Sequence, residues 1–461
     1  MTKDSFDSVF IDNFCVNQGD KFITSRAYIN YLVGNGARHK VIATVDISDI
    51  SHNILLSKNA ELTATAADDI DTGLLSQPLE MSIHLSQPLD SSGLMRDLQS
   101  CIEQDPFFFS LYDRHDSNEL FGGLCSVFAE LPLLQQKITI MADQLPELYR
   151  RSLSCCLLMQ LVAMEMRLPK AQKQNLLLAA LSHDVAMLDV DPSVLNKRTV
   201  LLADEWEQIQ SHVERGCRLL SLIEGINQEV VLAVAEHHER CDGTGYPLGQ
   251  VESELSIDGQ LLALVDSVTA IYFNHFNNPS HSWRDTLPII KLNEQGYFNR
   301  SLELLNGLIR RSVLPLRSIV NQQWIPAFAE ALLEQNLRMN SCFSQLKKAL
   351  TSIGFRHGDR RLHALQNLML HIATSFKGSM LSDEGFRKKL EALSTSSSND
   401  LSSSIEDASL LQQEMDYHLR RLSHMLNSYL AVDNPLYLEV NLKLKACLET
   451  VHEYTGQDSP N

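Results

Sequence analysis

The 461-residue chain lacks the features of secreted, membrane-spanning and nucleic-acid-coating proteins. It has no run of 18 apolar residues, and its most apolar window, 155–164, is interrupted by Gln160. Its first residues contain no apolar stretch of the kind found in secretory signals. The formal net charge of −18 opposes binding to nucleic acid or to an anionic membrane surface, because such binding requires neutralisation of phosphates. These absences predict a cytoplasmic protein with no membrane span and no nucleic-acid partner.

The chain also lacks any sign of a disulfide framework or of a repeat architecture. Its nine cysteines are odd in number, follow no regular spacing and form no CxxC pair, which is typical of free thiols in a reducing compartment. No segment recurs at a fixed period. The apolar fraction of 44% is sufficient for a sizeable core, and the length fits two to four domains.

The pattern of apolar residues predicts a mainly α protein that begins with a small α+β module. Apolar and polar residues alternate over 44–48 and 79–86, as in half-buried strands, and 59–67 between them favours helix. From residue 97 onward the apolar residues recur at helical spacing. We therefore expect a small α+β module (1–95), a helical metal-binding domain (97–315), a helical extension (320–393), a serine-rich linker (394–404) and a pair of C-terminal helices (405–461).

Histidines and aspartates at the ends and buried edges of predicted helices form the most informative feature. His212 lies three residues after Ile209 on an apolar face, and Asp266 lies four residues after Leu262. An unpaired aspartate that faces a core is costly, which favours a cation as its partner. The candidate ligands are His183, Asp184, His212, His237, His238 and Asp266.

Each of these features has an ordinary structural explanation when it is taken alone. A lone buried histidine such as His212 is usually a core residue, and a histidine pair usually lies on the surface. The string DGxGYP usually forms a turn, in which Gly243 and Gly245 allow positive φ and Pro247 fixes the exit. Their joint occurrence in this order nevertheless favours a metal site, and such a site can activate water for attack on a phosphate ester.

Over roughly residues 146–313 the chain resembles the HD-GYP subgroup of the HD-domain superfamily. The motif HHExxDGxGYP stands intact at 237–247, and its distance from Asp266 fits the family's spacing. Segments 191–197 and 204–206 are similar to the family's intervening segment. The resemblance implies an all-helical, HD-type core with phosphodiesterase activity on cyclic di-GMP, which yields pGpG or GMP.

The resemblance also implies roles for individual residues. The six candidate ligands would hold one or two divalent ions, Fe or Mn, and Asp184, bridging two ions, would be catalytic together with His183. Glu147 aligns with a carboxylate that binds a third metal in some members. The alternative explanation is that Glu147 is an ordinary solvated residue on the surface of a helix. The nucleotide, or a partner protein, would contact Lys197, Gly243, Gly245, Tyr246 and Pro247.

Several positions depart from the family pattern. The lysine of the family's HDxGK motif is Met187, which removes a charge-assisted phosphate contact of about 1.5–3 kcal/mol. Such a loss corresponds to about ten- to a hundredfold in rate. An early metal-binding histidine is replaced by Arg151, whose guanidinium cannot bind a cation. Other family positions are altered as well, at Glu252, Ser256, Gln260 and Thr269.

Three hypotheses follow from these residues. The first is a metal-dependent hydrolase that cleaves cyclic di-GMP, slowed by the departures. The second is a catalytically degenerate signalling module that binds a nucleotide or a signalling protein without turnover, with the helices after residue 404 as a docking element. The third keeps the HD superfamily but changes the substrate to another phosphate ester.

Overall fold

The computed structural model describes residues 25–34, 38–71, 74–112, 115–197, 201–276, 281–312, 324–354, 359–395, 402–431 and 438–456. Backbone packing divides the chain into two compact units. The first contains the described residues up to His238 together with Leu255–Ala270, and the second contains Glu239–Glu254 and the residues from Ile271 onward. The predicted domain boundaries do not coincide with this division and stay predictions.

Helices dominate both units. The first unit contains α1 (Arg26–Gly34), β1 (Val41–Ala43), β2 (Ile47–Ser48), β3 (Ile54–Leu56), α2 (Ala64–Asp71), α3 (Leu79–Ser82), β4 (Ile83–Leu85), α4 (Ser91–Gln104), α5 (Pro106–Tyr112), α6 (Ser117–Ala129), α7 (Pro132–Gln144), α8 (Pro146–Glu165), α9 (Lys170–Ser182), a 3-10 turn (Val185–Asp189), α10 (Pro192–Leu195), α11 (Ala203–Ser221), α12 (Gln228–Glu236) and α13 (Ile257–Ile271).

The second unit continues in the same helical style. It contains a π-helical turn (Tyr272–Phe276), a 3-10 turn (Trp283–Thr286), α14 (Leu287–Leu292), a 3-10 turn (Glu294–Gly296), α15 (Asn299–Arg311), α16 (Ile325–Ile353), α17 (Arg360–Gly378), a 3-10 turn (Met380–Ser382), α18 (Glu384–Thr395), α19 (Ser402–Leu430) and α20 (Leu438–Thr455). The predicted fold class, mainly α with a small N-terminal α+β module and a helical C-terminal extension, is confirmed.

The N-terminal module differs from the sequence expectation in detail. β1 pairs antiparallel with β4, with Val41 opposite Leu85, and β2 pairs antiparallel with β3. The strand predicted over 79–86 forms only from Ile83, because Leu79–Ser82 makes a helical turn in which the Ser82 hydroxyl donates to the Pro78 carbonyl. The predicted helix at 59–67 begins at Ala64 instead, since the backbone at Ala60 and Leu62 hydrogen-bonds to β1.

The core of the first unit is built from the apolar stretches of α8 and α9. Residues 155–163 of α8 and 176–181 of α9 are almost wholly buried, and α9 packs against both α8 and α12. The Tyr112 hydroxyl donates to the Leu157 carbonyl at 2.6 Å, which satisfies a buried polar group. These contacts place the C-terminal ends of α9 and α12 side by side. Among the described helices, none is both long and apolar enough to cross a bilayer.

The core of the second unit lies between its long helices. α16 packs against α18 and α20, and α17 packs against α19. Their shared apolar cluster includes Met339, Leu368, Met415 and Leu426. α16 lies within the predicted helical extension, and Pro326 fits its first turn because proline lacks only an amide that would be unsatisfied there. Of the predicted serine-rich linker, 396–401 lies outside the described residues.

A buried ion pair joins the N-terminal module to α7. Lys137 is 1% exposed, and its Nζ lies 3.0 Å from Glu80 Oε1 and 3.2 Å from the ring centroid of Tyr28. Burial by itself lowers the pKa of Lys137, but the Glu80 carboxylate and Tyr28 outweigh it and raise that pKa. Lys137 is therefore charged in the folded protein, and Glu80 is the carboxylate that compensates this buried charge.

We expect Glu80→Ala to destabilise the first unit by about 3–5 kcal/mol, because it leaves the buried Lys137 charge uncompensated. Glu61→Ala is the matched control, since Glu61 pairs with Lys40 at 3.1 Å on the surface. That change should cost no more than about 1 kcal/mol. Urea denaturation measures both, and equal losses would refute the dependence of Lys137 on Glu80.

Candidate metal centre

Four helices of the first unit bring the predicted ligands together. His183 ends α9 and Asp184 follows it, while His237 ends α12 and His238 follows it. His212 lies in the middle of α11 and Asp266 in α13. Three of the imidazoles and both carboxylates are buried, and the His238 side chain is 14% exposed. Two helix ends and two helix interiors thus bring these side chains toward one point.

Backbone carbonyls fix the orientation of three imidazoles. The Nδ1 atoms of His183, His212 and His237 lie 2.9, 2.5 and 2.5 Å from the carbonyl oxygens of Ala180, Ile209 and Val234. A carbonyl only accepts, so each Nδ1 carries the proton and donates. In a neutral imidazole the Nε2 lone pair is then left to face the centre, as it is for His212 and His237 and for histidines that bind metals.

The ligand atoms form two groups that share Asp184. In the first group, single atoms of Asp184, His212, His237 and His238 all lie within 4.8 Å of one another. The second group consists of His183, Asp184 and Asp266. The two oxygens of Asp184 serve different groups, since Oδ1 lies 3.3 Å from His212 Nε2 and Oδ2 lies 3.3 Å from His183 Nε2.

The first group fits a divalent cation. The Nε2 atoms of His212 and His237 are only 3.2 Å apart, although neither carries a proton in this tautomer. Asp184 Oδ1 accepts no hydrogen bond from any described residue, although it is buried. Atoms that bind one ion at about 2.0–2.1 Å lie roughly 3–3.5 Å apart, which is close to the spacing seen between these nitrogens. A cation would relieve both the facing lone pairs and the buried charge.

The second group already contains a positive charge. Arg151 of α8 places Nη2 2.5 Å from Asp184 Oδ2 and 3.3 Å from Asp266 Oδ1. The sequence places this arginine where the family has a histidine, and the structure shows that its guanidinium points into the site. A guanidinium keeps its charge at all physiological pH values. Arg151 therefore neutralises the two carboxylates that a second ion would otherwise share.

The pKa values reflect this charge arrangement. Burial, together with repulsion from His183 and His212, lowers the pKa of His237 to about 3, so that imidazole is neutral at pH 7. Burial likewise lowers the pKa of His212. Burial also acts to lower the pKa of His183, but the carboxylates of Asp184 and Asp266 outweigh it and raise that pKa to about 10. His212 and His237 thus offer neutral imidazoles to the first group, which metal binding requires.

The carboxylates are held ionised despite their burial. Burial raises the pKa of Asp266, but Arg151 and the hydrogen bond with His183 outweigh it and lower that pKa to about 2. The charges of His183 and Arg151 likewise hold the pKa of Asp184 well below its usual value. Both side chains can therefore act as anionic ligands.

Comparison with known proteins agrees with this geometry. Residues 135–302 match the HD domain family, and the HHExxDGxGYP motif within them is intact. This part of the chain is therefore an HD domain that carries an HD-GYP motif.

The curated relatives match part of this chain rather than its whole length. A cyclic di-GMP phosphodiesterase of Pseudomonas aeruginosa is 33% identical over 123 residues, which cover 27% of this chain and 30% of the relative. One of Thermotoga maritima is 32% identical over 123 residues, 26% of this chain and 33% of the relative. The 3'3'-cGAMP-specific phosphodiesterase 1 of Vibrio cholerae is 26% identical over 196 residues, 41% of this chain and 45% of the relative. The chain thus spans about a third of the length of the first two relatives.

Two positions outside the ligand groups bear on the HD-GYP chemistry. Met187, at the position of the family's lysine, is buried and packs with Val190 and Val194 in an apolar cluster. Lys197, a predicted nucleotide contact, places Nζ 2.7 and 2.5 Å from the two carboxylate oxygens of Glu205. Met187 contributes packing instead of charge, and the role of Lys197 toward a nucleotide stays a prediction.

Glu147 lies on the exposed first turn of α8, and neither ligand group includes it. Its predicted role as a ligand of a further metal has no support in the described contacts and stays a prediction.

The HD-GYP motif loop, Glu239–Glu254, belongs to the second unit. Gly243 has φ +74°, and a side chain on Gly245 would come within 2.3 Å of the Glu239 backbone, so glycine is required at both positions. Tyr246 is half-buried and Pro247 is exposed. Their predicted nucleotide contacts stay predictions.

Sequence reasoning assigned no role to two buried glutamates of this segment. The Glu239 carboxylate accepts hydrogen bonds from the backbone amides of Leu248 and Gln250 at 2.6 and 2.9 Å, which closes the motif loop. Glu236 accepts from the Ser256 amide at 2.9 Å and fixes the start of α13, the helix that carries Asp266. An acidic residue beside an apolar run, as at 230–236, was the available signal.

We expect His237→Ala to weaken binding of a divalent ion at least about tenfold, because it removes one imidazole from the first group. His452→Ala is the matched control, since His452 is a buried histidine of α20 that hydrogen-bonds to Ser423. Elemental analysis after dialysis against defined metal concentrations measures the effect. Equal metal content in both variants would contradict the assignment.

Proposed function

We propose that this chain is a metal-dependent phosphodiesterase that hydrolyses cyclic di-GMP to pGpG or GMP. The observation that carries the proposal is the pair of unprotonated Nε2 atoms of His212 and His237, 3.2 Å apart beside the buried Asp184 carboxylate. This arrangement is unfavourable without a cation and becomes a ligand set with one.

The residues of the first group would hold the ion, and we propose Fe or Mn because imidazole and carboxylate donors suit these metals. When bound, the ion supplies Lewis acidity that makes water a nucleophile near neutral pH and offsets charge on the phosphodiester. The carbonyls of Ile209 and Val234 keep His212 and His237 in the required tautomer. Asp184, which faces both groups, would be the central carboxylate, with His183 beside it.

The substrate proposal rests on the relatives' names. Two of those described above are named for cyclic di-GMP and one for 3'3'-cGAMP. Both molecules are cyclic dinucleotides with two phosphodiester groups, so a shared substrate class is supported more strongly than the choice of base. We propose cyclic di-GMP and treat 3'3'-cGAMP as the comparison substrate.

A second candidate function is binding of a cyclic dinucleotide without turnover. Two observations favour it: Arg151 neutralises Asp184 and Asp266, and Met187 is part of an apolar cluster. Arg151 takes the place of a second ion, and Met187 takes the place of a cation that would bind a phosphate. Hydrolysis would use both of these positive charges. A protein partner has no contact or comparison in its favour and stays a prediction.

We expect the wild-type chain to convert cyclic di-GMP to pGpG or GMP in the presence of Fe²⁺ or Mn²⁺, and Asp184→Ala to abolish this. Asp189→Ala is a control, because Asp189 is a nearby acid that accepts from Ser25 and belongs to neither ligand group. Product analysis by chromatography measures both. Unchanged turnover in Asp184→Ala would refute the proposal, and tight binding without product in the wild type would support the second candidate.

We expect the wild-type chain to hold about one divalent ion, and Arg151→His to raise this toward about two, because an imidazole replaces a fixed cation in the second group. Arg150→His is the matched control on the exposed side of the same helix. Elemental analysis of the loaded proteins counts the ions. About two ions per wild-type chain would show that Arg151 does not exclude a metal.

A further inference from the structure

A buried chain of polar side chains runs through the second unit and ends at the HD-GYP motif loop. Asp242 Oδ2 lies 2.7 Å from His371 Nδ1 of α17. His371 Nε2 lies 3.4 Å from Asn293 Oδ1, which lies 2.8 Å from His418 Nε2 of α19. Asn293 Nδ2 also donates to Glu414 at 2.8 Å. We call these five residues, Asp242, Asn293, His371, Glu414 and His418, the polar relay.

The loop end of the polar relay organises the motif itself. Asp242 Oδ1 accepts from the Thr244 amide at 3.0 Å and from its hydroxyl at 2.7 Å, so Asp242 closes the turn around Gly243. Its other oxygen faces His371. A side chain on Gly243 would also lie 3.3 Å from Asn367, one turn before His371 on α17. The motif turn therefore rests directly on α17.

Burial makes this contact energetically important. His371 and His418 are 5% and 4% exposed. Burial raises the pKa of Asp242, but the neighbouring His371 side chain outweighs it and lowers that pKa. At the other end burial raises the pKa of Glu414 and lowers that of His418. Removal of a partner from such a chain leaves buried polar groups without hydrogen bonds.

Three members of the polar relay lie outside the HD domain match. The HD domain match ends at residue 302, whereas His371, Glu414 and His418 all lie beyond it. α17 lies in the helical extension and α19 in the pair of C-terminal helices, so this support of the loop comes from parts of the chain that the HD domain match does not cover. This gives the C-terminal helices a role that the sequence left open.

We propose that His371 is a positioning residue for the HD-GYP motif loop, through which helices α17 and α19 hold the Asp242–Pro247 turn in the conformation that receives a cyclic dinucleotide. The nucleotide part of this inference rests on the proposed function. The structural part of the inference, that the polar relay holds the loop, is independent of the proposed function.

The experiment compares His371→Ala with His452→Ala in the full-length, metal-loaded chain. His452 is the matched control, because it is a buried histidine of the same unit whose hydrogen bond to Ser423 does not involve the loop. Hydrogen exchange of the backbone amides of 239–254 reports the loop. The apparent affinity for cyclic di-GMP is measured as KM if the wild type turns over and as Kd if it only binds.

We expect His371→Ala to speed exchange across 239–254 and to weaken the affinity about tenfold, with metal content and kcat close to wild type. His452→Ala should leave loop exchange and affinity unchanged. His371→Asn, whose side-chain amide lies near the position of Nδ1 and is able to donate to Asp242, should recover part of both losses and serves if the alanine variant does not fold. Unchanged loop exchange in both His371 variants would overturn the proposal.

The outcomes separate the two proposals. If the wild type neither binds nor hydrolyses cyclic di-GMP, the proposed function fails, while faster loop exchange in the His371 variants still supports the polar relay. If loop exchange rises but affinity does not change, the loop is held by His371 without serving recognition, and the nucleotide part of the inference is wrong.

Discussion

The buried carboxylate of Asp184 is the constraint on which the first unit depends. An ionised group without water or a counter-charge is prohibitively costly, so everything that touches Asp184 supplies positive charge or can bind it. His183 and Arg151 surround one oxygen, and the unprotonated nitrogens of His212 and His237 approach the other. The packing of α8, α9, α11 and α12 brings these side chains to the carboxylate. The candidate metal centre is thus the place where a buried negative charge of the helical core is balanced.

The negative charge of Asp184 is compensated differently on its two sides. On the side of His183 and Asp266 a side chain of the protein, the guanidinium of Arg151, supplies the counter-charge. On the side of His212 it must come from solution, because the imidazoles there are neutral. Under the proposed function, this arrangement would leave one position for an exchangeable ion. Hydrolysis with a single ion and binding without hydrolysis are both chemically consistent with that arrangement.

In the motif loop of the second unit, a buried carboxylate likewise has a partner that compensates its charge. Asp242 is mostly buried, and His371 supplies its partner, as Arg151 and the imidazoles do for Asp184. The polar relay continues through Asn293 to α19, so helices with no counterpart in the HD domain match support a segment of that domain's motif. The helical extension is therefore part of the architecture around the motif and not only an appended domain.

Local patterns in the sequence predicted the helical class and the six candidate ligands that the structure brings together, because helical spacing and the HHExxDGxGYP motif depend only on neighbouring residues. The same patterns misplaced the strand at 79–82 and the start of the helix at 59–67, where hydrogen bonds to Pro78 and to β1 override local preference. Only the tertiary structure decided the direction of Arg151, the apolar packing of Met187 and the partnership of Asp242 with His371. Each of these joins residues far apart in the chain, and their partners are chosen by packing and by the cost of buried charge, which no local pattern encodes.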